Sequence, residues 1–177
     1  LPHWTQTGAT YAVTFRLADS LPATVVESWK REREEIEQRA KSQDRSLTWH
    51  ERKELQHLYA ARVDSVLNAG QGACYLRDGR IARMVQDALR HFHGDHYELI
   101  GWAIMPNHVH ILMEPRLPLA KITGVIKGVA ARDANAALGR SGKPFWQDES
   151  FDHWVRNSAE FERIRHYIEW NPVTARL

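Results

Sequence analysis

The sequence predicts an α+β fold, an antiparallel sheet with helices packed on it. Three observations carry that prediction. Short runs alternate apolar and polar residues, the two-residue period of a half-buried strand. Longer stretches between them repeat their apolar residues every three or four positions, the helical period. Two of the strand-like runs are separated only by Pro106-Asn107, which is turn chemistry and makes them an antiparallel hairpin.

In chain order, "ATYAVTFRL" (9 to 17) is the first strand, stopped by "DSLP". From Pro22 to about Lys41 the pattern is helical and heavily charged, and "TWHERKELQHLYAARVDSVLNAG" continues it after a polar break at 42 to 46. Such mixed-sign runs are usually solvated helical faces, so 22 to 69 is expected to be a helical hairpin or long insert. "GQGACYLRDGR" is a connector, and "RIARMVQDALRHFH" places Ile81, Met84, Val85, Ala88, Leu89 and Phe92 on one helical face. The hairpin strands span 97 to 105 and 108 to 114. Residues 118 to 138 form another helix, in which Gly124 and Gly128 are expected to allow close helix packing, and "GRSGKP" closes it as a loop. A final strand falls near 151 to 155. The last helix starts with Asn157 as N-cap and Glu160 three residues later, a variant of the capping box, and Pro172 is expected to end it. The order β, α, β, β, α, β, α is that of a ferredoxin-like sheet.

At 177 residues and 43% hydrophobic composition, one main domain with a real core is expected. A formal net charge of +2 does not by itself announce a nucleic-acid partner; the distribution of charge matters more. The single cysteine, Cys74, excludes an intramolecular disulfide and fits a reducing, cytoplasmic setting. No apolar run approaches the roughly 20 residues that cross a bilayer, and no signal peptide opens the chain, so no membrane partner is expected. The chain opens on Leu1 and ends at "NPVTARL", which suggests a trimmed sequence.

"MPNHVHILMEP" (105 to 115) puts two imidazoles into a strand. Side chains alternate across a strand, so His108 and His110 share one face and could chelate a divalent cation. Taken alone, such a pair more often marks ordinary polar residues on a half-exposed sheet. "HFHGDH" (91 to 96) has a metal-like composition, but its place at a helix C-terminus already accounts for histidine there. On the last helix, Phe161, Ile164 and Ile168 make the core stripe, which leaves Tyr167 on the flank with its hydroxyl free to reach a cleft. Arg163 and Asn171, four residues to either side, are expected to share that flank. A boundary tyrosine with a polar helix end would look the same. Between 116 and 143, Arg116, Lys121, Lys127, Arg132, Arg140 and Lys143 face a single acid, Asp133, which makes this the expected place for phosphate contacts. Arg163 adds a cation beside the tyrosine. Trp146 could stack a base or fill the core.

"MPNHVHILMEP", "PFWQDESFDHWVRN" and "RIRHYIEWNPVTARL", preceded by "GATYAVTFRLADSLP", resemble the REP-associated tyrosine transposases and their single-tyrosine insertion-sequence relatives, within the HUH endonuclease superfamily. The resemblance touches residues 8 to 20 and most of 95 to 177, in order. It implies one catalytic domain over 1 to 177 with the helical insert at about 22 to 69, His108 and His110 as ligands of Mg2+ or Mn2+, Asn171 as the third ligand and Tyr167 as nucleophile. The partner it implies is single-stranded or hairpin DNA, with a monomer slightly favoured over a dimer. The implied activity is a metal-dependent transposase that nicks and transfers single-stranded DNA through a 5′-phosphotyrosine. A tyrosine with an ordinary pKa near 10 is about 0.1% ionised at neutral pH, so attack needs roughly 4 kcal/mol of help. The alternatives are a non-catalytic nucleic-acid-binding module on the same sheet, which needs neither the histidines nor the tyrosine, and a zinc hydrolase, which needs no tyrosine.

Overall fold

A computed structural model describes residues 8–48, 50–51, 66–67 and 69–174. The chain divides into two compact units, Leu1–Ala18 with Cys74–Leu177, and Asp19–Ala73.

The first unit is an α+β fold. It contains β1 (Tyr11–Arg16), α2 (Gly79–His91), β2 (Tyr97–Ile104), β3 (His108–Pro115), α3 (Leu119–Ala137), β4 (Phe151–Trp154) and α4 (Ser158–Thr174). Its four strands are ordered β2-β3-β1-β4 and every pairing is antiparallel. That is the ferredoxin-like arrangement, with the histidine-bearing β3 at the centre. A bulge between Leu99 and Gly101 interrupts the pairing of β2 with β3.

The period-two patterning of β1 and β3 sends alternate residues to opposite faces. Tyr11, Val13, Phe15, Val109, Ile111 and Met113 pack against α2, through Ile81, Val85 and Leu89, and against α3, through Ile122, Ile126 and Ala130. Trp146 is core: its ring meets the edge of Phe15 at 4.8 Å between centroids. The opposite face is smaller, with Ala103, Leu112, Val155 and Ile168 joined by Phe161 and Ile164. Its cover is α4.

Three local details differ from what the sequence suggested or sharpen it. Helix α4 runs through Pro172 to Thr174 instead of ending before it. Proline lacks the N–H that would reach back to Ile168, but in a last turn this removes one bond from an end that frays anyway. Gly124 and Gly128 do not serve helix packing, since a Cβ at either position would meet nothing within 4 Å. The start of α4 is a variant of the capping box: Asn157 Oδ1 accepts the Glu160 N–H at 2.9 Å, while the Glu160 carboxylate accepts the N–H of Arg156, one residue before the N-cap, at 2.8 Å.

In the second unit, α1 spans Ala23–Ser42. Beyond it Arg45 holds Glu51 through two bonds of 2.7 and 2.9 Å, and Glu51 also accepts the Thr48 N–H at 2.8 Å. The unit's two ends meet where the Ala73 N–H donates to Asp19 Oδ2 at 2.9 Å. Gly72 is required there: its φ is +87° and a Cβ would lie 2.5 Å from the Asp19 carbonyl oxygen. The expected helical stretch after residue 47 falls largely outside the described residues. No described helix is long and apolar enough to cross a membrane.

Candidate active site

In an antiparallel pair, residues directly opposite each other share a face. The register sets Thr14 opposite His110 and Arg16 opposite His108, so these four side chains lie together on the face that α4 covers. All four are buried, at 9% exposure or less. His108 Nε2 and His110 Nε2 face each other at 3.0 Å. The far nitrogen of each ring is also engaged. His108 Nδ1–H donates to Asn107 Oδ1 at 2.8 Å, and His110 Nδ1 lies 2.8 Å from the Thr14 hydroxyl.

The environment favours neutral imidazoles. Burial, reinforced by the neighbouring His110, pushes the His108 pKa down to about 2, and burial pushes that of His110 down to about 4. Both rings therefore offer an uncharged nitrogen near neutral pH, the form in which imidazole binds a metal.

Helix α4 brings the phenol to this pair. The Tyr167 ring meets the His110 ring with centroids 5.4 Å apart at 73°, and Tyr167 keeps 39% exposure. Asn171, one turn on, is 7% exposed, and its Nδ2 has no hydrogen-bond partner among the described residues. The expected shared flank is in fact a fan. Each four-residue step turns a helix by about 40°, so Asn171 sits beside the Ile168 stripe, Tyr167 at its border and Arg163 further out. The Arg163 side chain is 75% exposed and lies 3.6 Å from Glu160. Glu160 is held below the usual carboxylate range; burial opposes this, but the Arg156 N–H and the His153 ring, 2.9 Å away, outweigh it.

Whether these residues suit a metal can be judged from their chemistry. Two neutral imidazole nitrogens facing each other, with each ring anchored by its other nitrogen, are the kind of donor set that a histidine-ligated cation site would need. The buried Asn171, whose Nδ2 has no partner among the described residues, carries a further amide on the covering helix. Among the described residues no three His, Cys, Asp or Glu side chains converge; an amide oxygen is a hard donor that a divalent cation accepts.

The cations expected to contact DNA are spread differently. Helix α3 packs on the face opposite the histidines, and with it come Lys121, Lys127 and Arg132. Lys121 is exposed. Lys127 Nζ donates to the Gln147 and Asp148 carbonyls at 2.7 and 2.8 Å, and its pKa is lowered by burial. Arg132 pairs with Asp133 at 2.9 Å and Arg116 with Glu98 at 3.3 Å. The Arg140 guanidinium lies 4.5 Å over the Tyr75 ring, and the exposed Lys143 gives its carbonyl to Asn135 Nδ2 at 2.8 Å. The "HFHGDH" histidines are locally engaged: His96 stacks on Phe92 at 4.9 Å, and His93 Nδ1 accepts the Leu99 N–H at 3.0 Å.

Thr14, Arg16 and Asn107 were not singled out by sequence. Asn107 had a signal, its place directly before the histidine strand. Thr14 and Arg16 had none until register set them opposite the pair.

Comparison with protein families matches residues 76–171 to the family described as "Transposase IS200 like". The matched stretch is just over half the chain and includes His108, His110, Tyr167 and Asn171. The chain belongs to the IS200-like transposase family. Within that family it is of the single-tyrosine, HUH type. Among solved structures, a REP-associated tyrosine transposase bound to a REP hairpin is similar over 98% of this chain and 72% of that one, at 14% identity and a TM-score of 0.50, which supports the shared fold. A Deinococcus radiodurans R1 protein described as a candidate transposase aligns over 92% of this chain and 89% of that one, at 14% identity and a TM-score of 0.35. No curated protein gives a significant match.

Proposed function

We propose that this IS200-like transposase cleaves and rejoins single-stranded DNA through Tyr167, with His108, His110 and Asn171 holding Mg2+ or Mn2+. The observation that carries the reading is the contact of a half-exposed tyrosine ring with His110, at the mouth of a buried, neutral histidine pair. The similar REP-associated enzyme was solved with a REP hairpin, which supports hairpin-forming repeat DNA as the substrate class.

A cation held by these residues would supply positive charge that offsets the negative charge building on the phosphate oxygens. The protein's own residues do the rest. Tyr167 is exposed enough for its hydroxyl to meet a strand lying over α4. Its oxygen forms a bond to the scissile phosphorus while the bond to the 3′-oxygen breaks, and the proton lost by the phenol is balanced by the proton gained by the departing 3′-oxygen, which leaves as a hydroxyl. The product is a 5′-phosphotyrosine. A free 3′-hydroxyl can reverse the step, so cleavage and strand transfer are one chemistry in two directions. Arg116, Lys121, Arg132, Arg140 and Lys143, together with Arg163, bind phosphates along the strand and its hairpin, whereas the Lys127 ammonium is already held by two backbone carbonyls.

The test is nicking of a labelled hairpin oligonucleotide with a single-stranded flank. Wild type should cut it in Mn2+ and not in excess chelator, and His110→Ala should cut more than about a hundredfold slower, since even outer-shell losses cost 10- to 100-fold. Equal cutting in chelator would exclude the metal-dependent reading.

A further inference from the structure

The two histidines are anchored by groups of different chemistry, and the difference has a consequence. A carbonyl oxygen can only accept a hydrogen bond, so Asn107 Oδ1 at 2.8 Å requires a proton on His108 Nδ1. That ring, being neutral, keeps a bare Nε2 at all times. The 3.0 Å contact between the two Nε2 atoms then demands a hydrogen from the other side, so without a cation His110 carries its proton on Nε2 and donates it to His108. Its Nδ1 is bare and accepts from the Thr14 hydroxyl at 2.8 Å. A cation between the rings needs the reverse at His110, with a bare Nε2 and a protonated Nδ1. A hydroxyl both donates and accepts, so Thr14 can serve either state by rotating about one bond.

We infer that Asn107 and Thr14 are positioning residues with distinct tasks: Asn107 locks His108 in the metal-ready tautomer, whereas Thr14 lets His110 switch tautomer when a cation enters. The ring stays neutral through the switch. One proton leaves Nε2 and one arrives at Nδ1, so none is released overall. Burial makes the device effective, because Asn107 is 0% and Thr14 9% exposed and bulk water does not take their place as partner. The inference rests on the metal-centre reading given above.

The experiment compares wild type, Thr14→Val and Thr14→Ser by Mn2+ titration calorimetry and by nitrogen NMR of the imidazoles, with and without saturating Mg2+. Wild type should show His108 protonated on Nδ1 throughout and His110 moving from Nε2–H to Nδ1–H as Mg2+ binds. Thr14→Val keeps the shape but loses the acceptor, and should bind Mn2+ about 10- to 100-fold more weakly, with Thr14→Ser restoring most of the loss. Wild-type Mn2+ binding with an unaltered Thr14→Val affinity, or with His110 already Nδ1–H in the metal-free protein, overturns the inference alone. Absence of Mn2+ binding by folded wild type overturns the metal centre as well.

Discussion

Burial keeps the His108 and His110 rings neutral, and it also makes the fold sensitive to acid through them. Both rings are neutral in the folded protein, with pKa values pushed below the unfolded value near 6.5, His110 to about 4 and His108 further. Between those limits the unfolded chain binds more protons than the native one. Their contribution to stability is therefore complete above pH 6.5 and is lost as pH falls toward 4. Denaturant midpoints measured from pH 7 to pH 5 should fall for wild type and fall less for His110→Phe; parallel slopes would contradict the burial argument. The shared face of His108 and His110 and the flank position of Tyr167 were legible in the sequence, because strand alternation and the helical count need only one segment each; reading them as a site took the family resemblance. Thr14 and Arg16 were not. Their placement beside His110 and His108 depends on pairing residues about a hundred positions apart, and no local pattern encodes that register.

At the scale of elements, periodicity located every described strand and α-helix of the first unit to within a few residues, but not the short 3-10 turn at Tyr75–Arg77, which lies in the stretch read as a connector. What it could not give was orientation toward neighbours. Gly124 and Gly128 looked like packing glycines, yet both face open space, where a helical glycine costs stability through backbone entropy alone. Gly124→Ala and Gly128→Ala should each stabilise the protein by about 0.5–1 kcal/mol, readable as a raised thermal midpoint. A loss at either site would show a close neighbour after all. Asn157→Ala, by contrast, should cost about 0.5–2 kcal/mol, since it removes the acceptor for the Glu160 N–H at the head of the helix that carries Tyr167. The same helix shows why the fan of Arg163, Tyr167 and Asn171 escaped the sequence: the four-residue spacing is close to a full turn but not equal to it, and 40° separates a buried amide from a half-exposed phenol.

Across the whole first unit, the β2-β3-β1-β4 order puts the histidine strand in the middle, α4 over one face and α2 with α3 over the other. The candidate chemistry and the α3 cations thus lie on opposite faces of one sheet. A substrate that uses both must be long enough to pass around the sheet, as a hairpin with a single-stranded flank can be. If Lys121 and Lys143 each neutralise a phosphate, changing either to Gln should lower the slope of log affinity against log salt by about 0.7–0.9, with cleavage chemistry unchanged at saturating DNA. An unaltered slope would remove that lysine from the interface. The central claim is the covalent step, and mass spectrometry tests it most directly. After reaction with a cleavable single-stranded hairpin oligonucleotide in Mn2+, nuclease trimming and proteolysis, the peptide around Tyr167 should carry a 5′-nucleotide phosphate on that residue in wild type, and no such adduct should form in Tyr167→Phe. Cleavage of the oligonucleotide by Tyr167→Phe, or an adduct mapped to another residue, would contradict it.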